Sequence, residues 1–298
     1  MSSEVFFSDR RRLFSIAYRM LGSASDAEDV LQDAWLRYES AGQAAVRSPQ
    51  AFATTIVTRL CLDRLKSARI AREAYIGPWL PEPVLTSDAA GPDVAAQRAE
   101  SVTLAFLVLL ETLSPEERAV FLLKDIFEYD HAEVAEMLGT TPENSRQLLH
   151  RAKARLTSGR PTLTGSAASR RKVAERFTHA FTSGDGSTLA DLLAADVGLW
   201  SDGGGKVSAA RRPLHGRPEV LNFLLGLYRT AQRAAASDRR SVQIDEVNAE
   251  PALILRRADR IDAIFVLSVD DGTIAAVRVI RNPDKLTAIE RQLRSATH

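Results

Sequence analysis

The chain has 298 residues, a formal net charge of +1 and a single cysteine, Cys61. Its length exceeds one typical domain, and 45% hydrophobic with 26% charged residues excludes a disordered, collagen-like or membrane-embedded chain. One cysteine excludes an intramolecular disulfide and a cysteine zinc knuckle, which leaves Cys61 as a buried core thiol.

The opening MSSEVFFSDRRRLF lacks an apolar h-region with a small-residue cleavage site. The longest strictly apolar run, Leu104–Leu110, is far short of the ~20 residues that cross a bilayer. A cytoplasmic protein with no membrane partner is expected.

From Arg10 to Glu73 apolar residues recur at helical spacing. In SASDAEDVLQDAWLRYES, Ser25 and Glu28 are spaced as a capping box, and Ala27, Val30, Leu31, Ala34 and Trp35 share one face. The opposite face carries Glu28, Asp29, Gln32, Asp33 and Leu36. Such an acidic face repels DNA phosphate, so its partner is water or another protein. The next helix, SPQAFATTIVTRLCLDRLKSARIARE, buries Phe52, Ile56, Leu60 and Cys61 and turns basic toward its end. Arg59, Arg64, Lys66 and Arg69 suit phosphate contact, and the polar 40–49 loop before them could accept an unstacked base. Taken alone, that basic run also reads as a solvated face.

Residues 74–92 hold Pro78, Pro81, Pro83 and Pro92 with Gly77 and Gly91, which forbids a continuous helix. Helical periodicity resumes over 94–156 and carries the most specific local signal in the chain, HAEVAEMLGTTPENSRQLLHRAKARL. Gly139 ends one helix there, and Thr141-Pro142 opens the next with a cap and a first-turn proline. This is a helix-turn-helix. Ser145, Leu148, Leu149, Ala152 and Leu156 share the packing arc, whereas Arg146, Gln147, His150, Arg151 and Lys153 share the other. Arg146, Gln147 and His150 are the base-reading candidates; Arg151, Lys153 and Arg155 suit phosphates. Ser145 departs from the branched apolar residue usual at its inward position.

SGRPTLTGS breaks the helix again. Beyond it come helices at 171–181, 186–193 and 218–230, a strand pair around Trp200, and strands SVQIDEVN, PALILRR, IDAIFVLSV and AAVRVIR, which together make an α+β unit. DGGGK lacks phosphate-loop spacing and reads as a glycine turn with Lys206 exposed. NPDKL reads as a turn after the last strand. WLPEP is a stiff linker whose large aromatic needs a pocket. No histidine–carboxylate pair has metal-ligand spacing, and neither His179 nor His215 is placed as a cavity base; no metal, cofactor or catalytic residue is expected.

DAEDVLQDAWLR, LCLDRLKSARIARE, LSPEERAVFLLKDIFEYDHAEVAEMLG and the following helix, in this order, resemble the extracytoplasmic-function sigma factors over residues 5–157. The resemblance implies that the helix matching 26–37 binds the β′ clamp helices of core RNA polymerase and that a second core contact is the β flap. It implies that the helix matching 51–69 and its preceding loop melt and read the minus-ten element. The helix matching 142–156 would read the minus-thirty-five element, with Arg146, Gln147, His150 and Arg151 at its DNA-contacting positions.

Residues 170–298 resemble a SnoaL-like domain of the nuclear-transport-factor-two cone fold. WLPEP, DGGGK and NPDKL resemble the motifs of sigma factors that carry this domain as a built-in regulator. The implied interdomain contacts are Trp79, Leu80 and Pro81, then Asp202, Gly203, Gly204, Gly205 and Lys206, and Asn282, Pro283, Asp284 and Lys285. The expected organisation is multidomain: region 2 over 1–75, a linker over 76–93, region 4 with the helix-turn-helix over 94–158, a linker over 159–169, and the α+β cone domain over 170–298. Two other readings compete. SnoaL-like domains include polyketide cyclases, so the cavity could hold a small-molecule ligand or a reaction; an ordinary repressor would leave the first domain's acidic and basic helices unexplained.

Overall fold

The computed structural model describes residues 6–41, 48–86, 103–156, 165–233, 240–258 and 260–295, and the side chains of these except 68–73 and 295. They form two compact units that do not follow sequence order: Met1–Ala74 with Phe106–Arg160, and Tyr75–Ala105 with Pro161–His298.

The first unit is helical. Helices α1 (Arg10–Leu21), α2 (Ala24–Ser40) and α3 (Pro49–Glu73) pack on one another, burying Leu13, Ile16, Met20, Val30, Leu31, Val57 and Cys61. Gly22 ends α1 in the left-handed region at φ 67°. The start of α2 corrects the expected capping box: Ser23, not Ser25, is the cap, and its hydroxyl accepts from the Asp26 N–H at 3.1 Å. Phe52, expected in the core, is only partly buried.

After α4 (Leu104–Leu110) come α5 (Pro115–Phe121), a five-residue π-helical segment (Leu122–Ile126), α6 (His131–Leu138) and α7 (Pro142–Leu156). Capping boxes Ser114/Glu117 and Asp130/Glu133 start α5 and α6, each satisfying two otherwise orphaned N–H groups. Because α3 packs against both α5 and α6, the helices before and after the 74–92 segment share this unit.

In the second unit the expected helices are α8 (Ala167–Ser183), α9 (Gly186–Leu192) and α10 (Arg217–Arg233). The strands are β1 (Leu193–Asp202), β2 (Leu214–His215), β3 (Arg240–Val247), β4 (Glu250–Arg257), β5 (Arg260–Asp270) and β6 (Thr273–Ile280), in the order β2-β1-β6-β5-β4-β3. The pair around Trp200 is part of something larger: β1 meets β2 antiparallel and β6 in parallel.

Strand alternation puts Leu253, Phe265, Leu267, Val277 and Val279 in one core with Phe177, Phe181, Leu189, Val220 and Leu224 of the three helices. The residues between them, Ile254, Ile264, Val266 and Ile280, are also buried. A last helix, α11 (Pro283–Ser295), packs on β5. It corrects the reading of NPDKL as only a turn: the Asn282 side chain accepts from the Asp284 N–H at 3.2 Å, and Pro283 sits at the first helical position, where its missing N–H costs nothing.

Candidate nucleic-acid interface and linker clasp

Helix α7 is set by local chemistry. Gly139 closes α6 at φ 65°, where a Cβ would be penalised. The Thr141 hydroxyl then accepts from the Asn144 N–H at 3.1 Å. Ser145, Leu148, Ala152 and Leu156 are buried, while Arg146, Gln147, His150 and Arg151 are exposed and line one shallow groove. Ser145 is fully buried, and its hydroxyl lies 2.9 Å from His131 Nδ1. The departure from an apolar residue thus makes a hydrogen bond between the two helices of the motif. Partial burial, and then the charges of Arg146 and Lys124, hold the His131 pKa below its ordinary value.

The other basic side chains assigned to phosphate have protein partners. Arg155 lies 2.8 Å and Arg151 3.8 Å from the Glu117 carboxylate, and Lys153 is 2.9 Å from Asp125. Glu117 is almost wholly buried, yet the three cations each keep more than half of their side-chain surface in water.

On α3, Arg59 donates to the Met137 carbonyl at 3.0 Å and the Glu136 carbonyl at 3.2 Å, the C-terminal end of α6 where a cation is favoured. Lys66 lies 3.9 Å from Glu116. Arg64 sits 3.3, 3.6 and 3.5 Å from Asp26, Asp29 and Asp33, joining the basic helix to the acidic face. The Arg69 side chain lies outside the described residues, as does the 42–47 part of the loop expected to take an unstacked base.

The acidic face is on the surface of α2. Asp29, Gln32 and Asp33 are exposed, Glu28 pairs with Arg10, and Leu36 keeps 64% of its surface in water. An isolated exposed leucine is ordinary; here it adjoins carboxylates on one helical face, as a protein-binding surface would require.

The second unit brings together three motifs far apart in sequence. Asp202, at the end of β1, is fully buried. Its Oδ1 accepts from the Tyr75 hydroxyl at 2.5 Å and the Gly204 N–H at 3.0 Å; its Oδ2 accepts from the Leu80 N–H at 2.9 Å and from Lys285 Nζ at 2.6 Å. The Lys285 ammonium also donates to the Leu80 carbonyl and stands 4.3 Å from the Trp79 ring centroid, a cation–π contact. Asn282 donates to the Tyr75 hydroxyl at 2.9 Å. Burial, and then the hydrogen bond to the Asp202 carboxylate, raise the Tyr75 phenol above its ordinary pKa.

The glycines make room for this. Gly203 accepts the Lys206 N–H to close the turn. Gly204 has φ 60°, and a Cβ there would stand 2.4 Å from the Asn282 amide nitrogen; one on Gly205 would stand 2.9 Å from Ile76. At the surface Lys206 pairs with Asp284.

The linker stays held beyond the clasp. Pro81 is buried, and Leu80, Val84 and Leu85 are at most 4% exposed. The Val84 N–H donates to the Asn248 side chain at 3.1 Å, Thr86 N–H to the Glu246 carbonyl at 2.9 Å, and Leu85 bridges Val247. The Leu104 N–H donates to Glu250 at 3.0 Å. Tyr75, Asn248 and Glu250 escaped sequence reasoning: each gains its role from a partner more than a hundred residues away.

Among the described residues no group of three or more histidine, cysteine, aspartate or glutamate side chains could hold a metal, and no helix is long and apolar enough to cross a membrane. Sequence-family models of sigma-70 region 2 and sigma-70 region 4 match residues 6–70 and 103–156. The ECF RNA polymerase sigma factor SigJ of Mycobacterium tuberculosis is 38% identical, over 96% of this chain and 94% of its own. SigG of the same organism is 34% identical over 64% of this chain and 58% of its own. The crystal structure of SigJ superposes with a TM-score of 0.77 at 36% identity, over 96% of this chain and 98% of that one.

Proposed function

The chain belongs to the extracytoplasmic-function sigma factors, and from that premise we propose how its parts share the work of binding core RNA polymerase, recognising promoter DNA and initiating transcription. Its role is that of an initiation factor and not of an enzyme. It works in the cytoplasm, where polymerase and promoter meet.

Region 2 spans 1–75 and region 4 spans 94–158. The α2 face of Glu28, Asp29, Gln32, Asp33 and Leu36 takes the β′ clamp helices, and region 4 takes the β flap. Arg59, Arg64, Lys66 and Arg69 of α3 serve the minus-ten element. Arg146, Gln147 and His150 read minus-thirty-five bases, with Arg151, Lys153 and Arg155 on phosphates. Arg59, Arg64, Arg151, Lys153 and Arg155 must then exchange their protein carbonyls and carboxylates for DNA when the factor engages. Exposed ion pairs contribute only about 0–1 kcal/mol each, so the exchange is inexpensive for Arg64, whose carboxylate partners keep more than half of their surface in water; it costs more at Glu117, whose carboxylate is buried.

The SnoaL-like domain, 170–298, regulates this activity by gripping the 76–93 linker that joins the two DNA-reading regions. The observation that carries the reading is the Asp202 carboxylate, whose two oxygens hold the linker at its entrance and within it: one on Tyr75, the residue just before it, the other on Leu80. Regulation requires the grip to differ in strength between polymerase-competent and incompetent arrangements. A ligand in the domain's cavity is the natural bias on it.

Run-off transcription with core polymerase tests this directly. Trp79→Ala and Lys285→Met should each change output from a cognate promoter several-fold while core binding survives. Output equal to that of the intact chain for both variants would end the regulatory reading.

A further inference from the structure

The C-terminal domain encloses a cavity of about 660 Å³ between the ends of α8 and α10 and the β3–β4–β5 edge of the sheet. That volume is in the range of sites that enclose a drug-sized molecule. Its floor is apolar: Phe181, Leu227, Val242, Leu255 and Phe265 line it, and Phe181 and Phe265 pack with their rings tilted by 47° and their centroids 5.4 Å apart. A cavity with only this floor would take any apolar body.

The charged lining is strongly one-sided. Arg240, Arg256, Arg257 and Arg281 face the cavity with one acid, Asp262. Strand register explains part of the concentration: Arg240 on β3 lies directly opposite Arg257 on β4. A cross-strand pair of like charges is unfavourable in itself and focuses positive potential at the mouth of a low-dielectric cleft. Arg281 donates to the Ser208 carbonyl at 2.6 Å and reaches Asp262 only at 3.4 Å. Its Nε is buried with no hydrogen-bond partner among the described residues.

We infer that the cavity binds an amphipathic organic anion, its apolar body on the phenylalanine floor and its carboxylate or phosphate head on the arginine rim. Guanidinium forks match both heads in bidentate geometry, which an ammonium does not. A plain phosphate-backbone patch would have no use for the apolar floor, and a neutral substrate cavity no use for four arginines. The inference deepens the regulatory reading above, on which its consequence for transcription rests.

Isothermal titration of the full chain with decanoate, decyl phosphate, 1-decanol and decylammonium separates these terms. Decanoate or decyl phosphate should bind at least tenfold more tightly than decanol, and decylammonium more weakly than both anions; the stronger anion identifies the head group. Arg256→Gln with Arg281→Gln should cost at least tenfold in anion affinity at an unchanged thermal midpoint. Arg260→Gln, which lies outside the lining, should leave affinity within twofold and controls for general charge loss. Equal binding of decanoate and decanol, or no binding by any probe, overturns the inference. If decanoate binds and run-off transcription does not respond, the ligand class stands and the coupling of cavity to clasp falls. If Lys285→Met alters transcription while no anion binds, the regulatory reading stands and the ligand inference falls.

Discussion

At the clasp, Asp202 is fully buried and its partner Lys285 is 12% exposed, whereas on α7 Arg146 and its partner Glu143 keep 59% and 71% of their side-chain surface in water. Both are ion pairs near 3 Å, yet they answer to different physics. A buried pair has paid for its desolvation, so losing either partner leaves an uncompensated charge in a low dielectric. An exposed pair gives up almost nothing when a phosphate or a base edge replaces one partner. The first arrangement holds a segment in a single place, and the second keeps a side chain ready for exchange. A regulated DNA-binding factor has use for both.

The largest expected effect comes from breaking the buried pair. Asp202→Ala should lower the stability of the C-terminal unit by about 3–5 kcal/mol, read by denaturant unfolding of the full chain. Adding Lys285→Met should restore part of the loss, because the orphaned ammonium is then gone. A cost below about 1 kcal/mol would place the clasp in the same class as the surface pairs and remove the contrast.

Gly204→Ala should follow, at about 1–3 kcal/mol. Its φ is 60° and the new Cβ would meet the Asn282 amide. Gly226→Ala, where nothing lies within 4 Å, is the control that should cost nothing measurable.

The exposed side of the comparison predicts the reverse pattern. Arg146→Ala should leave stability within about 0.5 kcal/mol but cost about 1–3 kcal/mol in promoter affinity and relax selectivity at one base position. Lys153→Ala should weaken all sequences alike and reduce the salt slope by about one. Equal losses from both variants on every sequence would mean that Arg146 does not read bases.

The smallest effect concerns His131, packed on Ser145. Its pKa is lowered in the folded chain by burial and by the Arg146 and Lys124 charges, against the weaker pull of the Asp130 and Asp125 carboxylates. The unfolded chain therefore binds the proton more readily, and this contribution to stability is complete above about pH 6.5 and declines as pH falls towards the lowered value. A histidine titration followed by NMR should show the shift, and Arg146→Ala should move the midpoint upward. An unmoved midpoint would remove Arg146 from the causes.

The contrast also explains what could be read before the structure. The α6–α7 motif rests on neighbours in sequence, a glycine in the left-handed region and a threonine-proline cap, so it was legible residue by residue. The DGGGK turn was legible for the same reason. The clasp was visible only as three suspicious motifs: nothing local says that Asp202 turns to Tyr75 and Leu80 instead of into the cavity. Helix α11 is masked in the sequence because Asn282-Pro283 both ends a strand and begins a helix, although Leu286, Ile289 and Leu293, all buried, follow it at helical spacing. The basic face of α3 suggests phosphate contact for Arg59 and Arg64, but nothing local in it announces the carbonyls and carboxylates that meet these side chains in the folded chain. Among the described residues, what the sequence leaves hidden is the partner distant along the chain.

The central claim is that the clasp fixes the linker between the two DNA-reading regions, and a promoter spacer series tests it most directly. Run-off transcription from templates whose two recognition elements are separated by successively one more or one fewer base pair should give a sharp optimum with the intact chain and a broader or shifted one with Lys285→Met. Superimposable profiles for the two proteins would contradict the account.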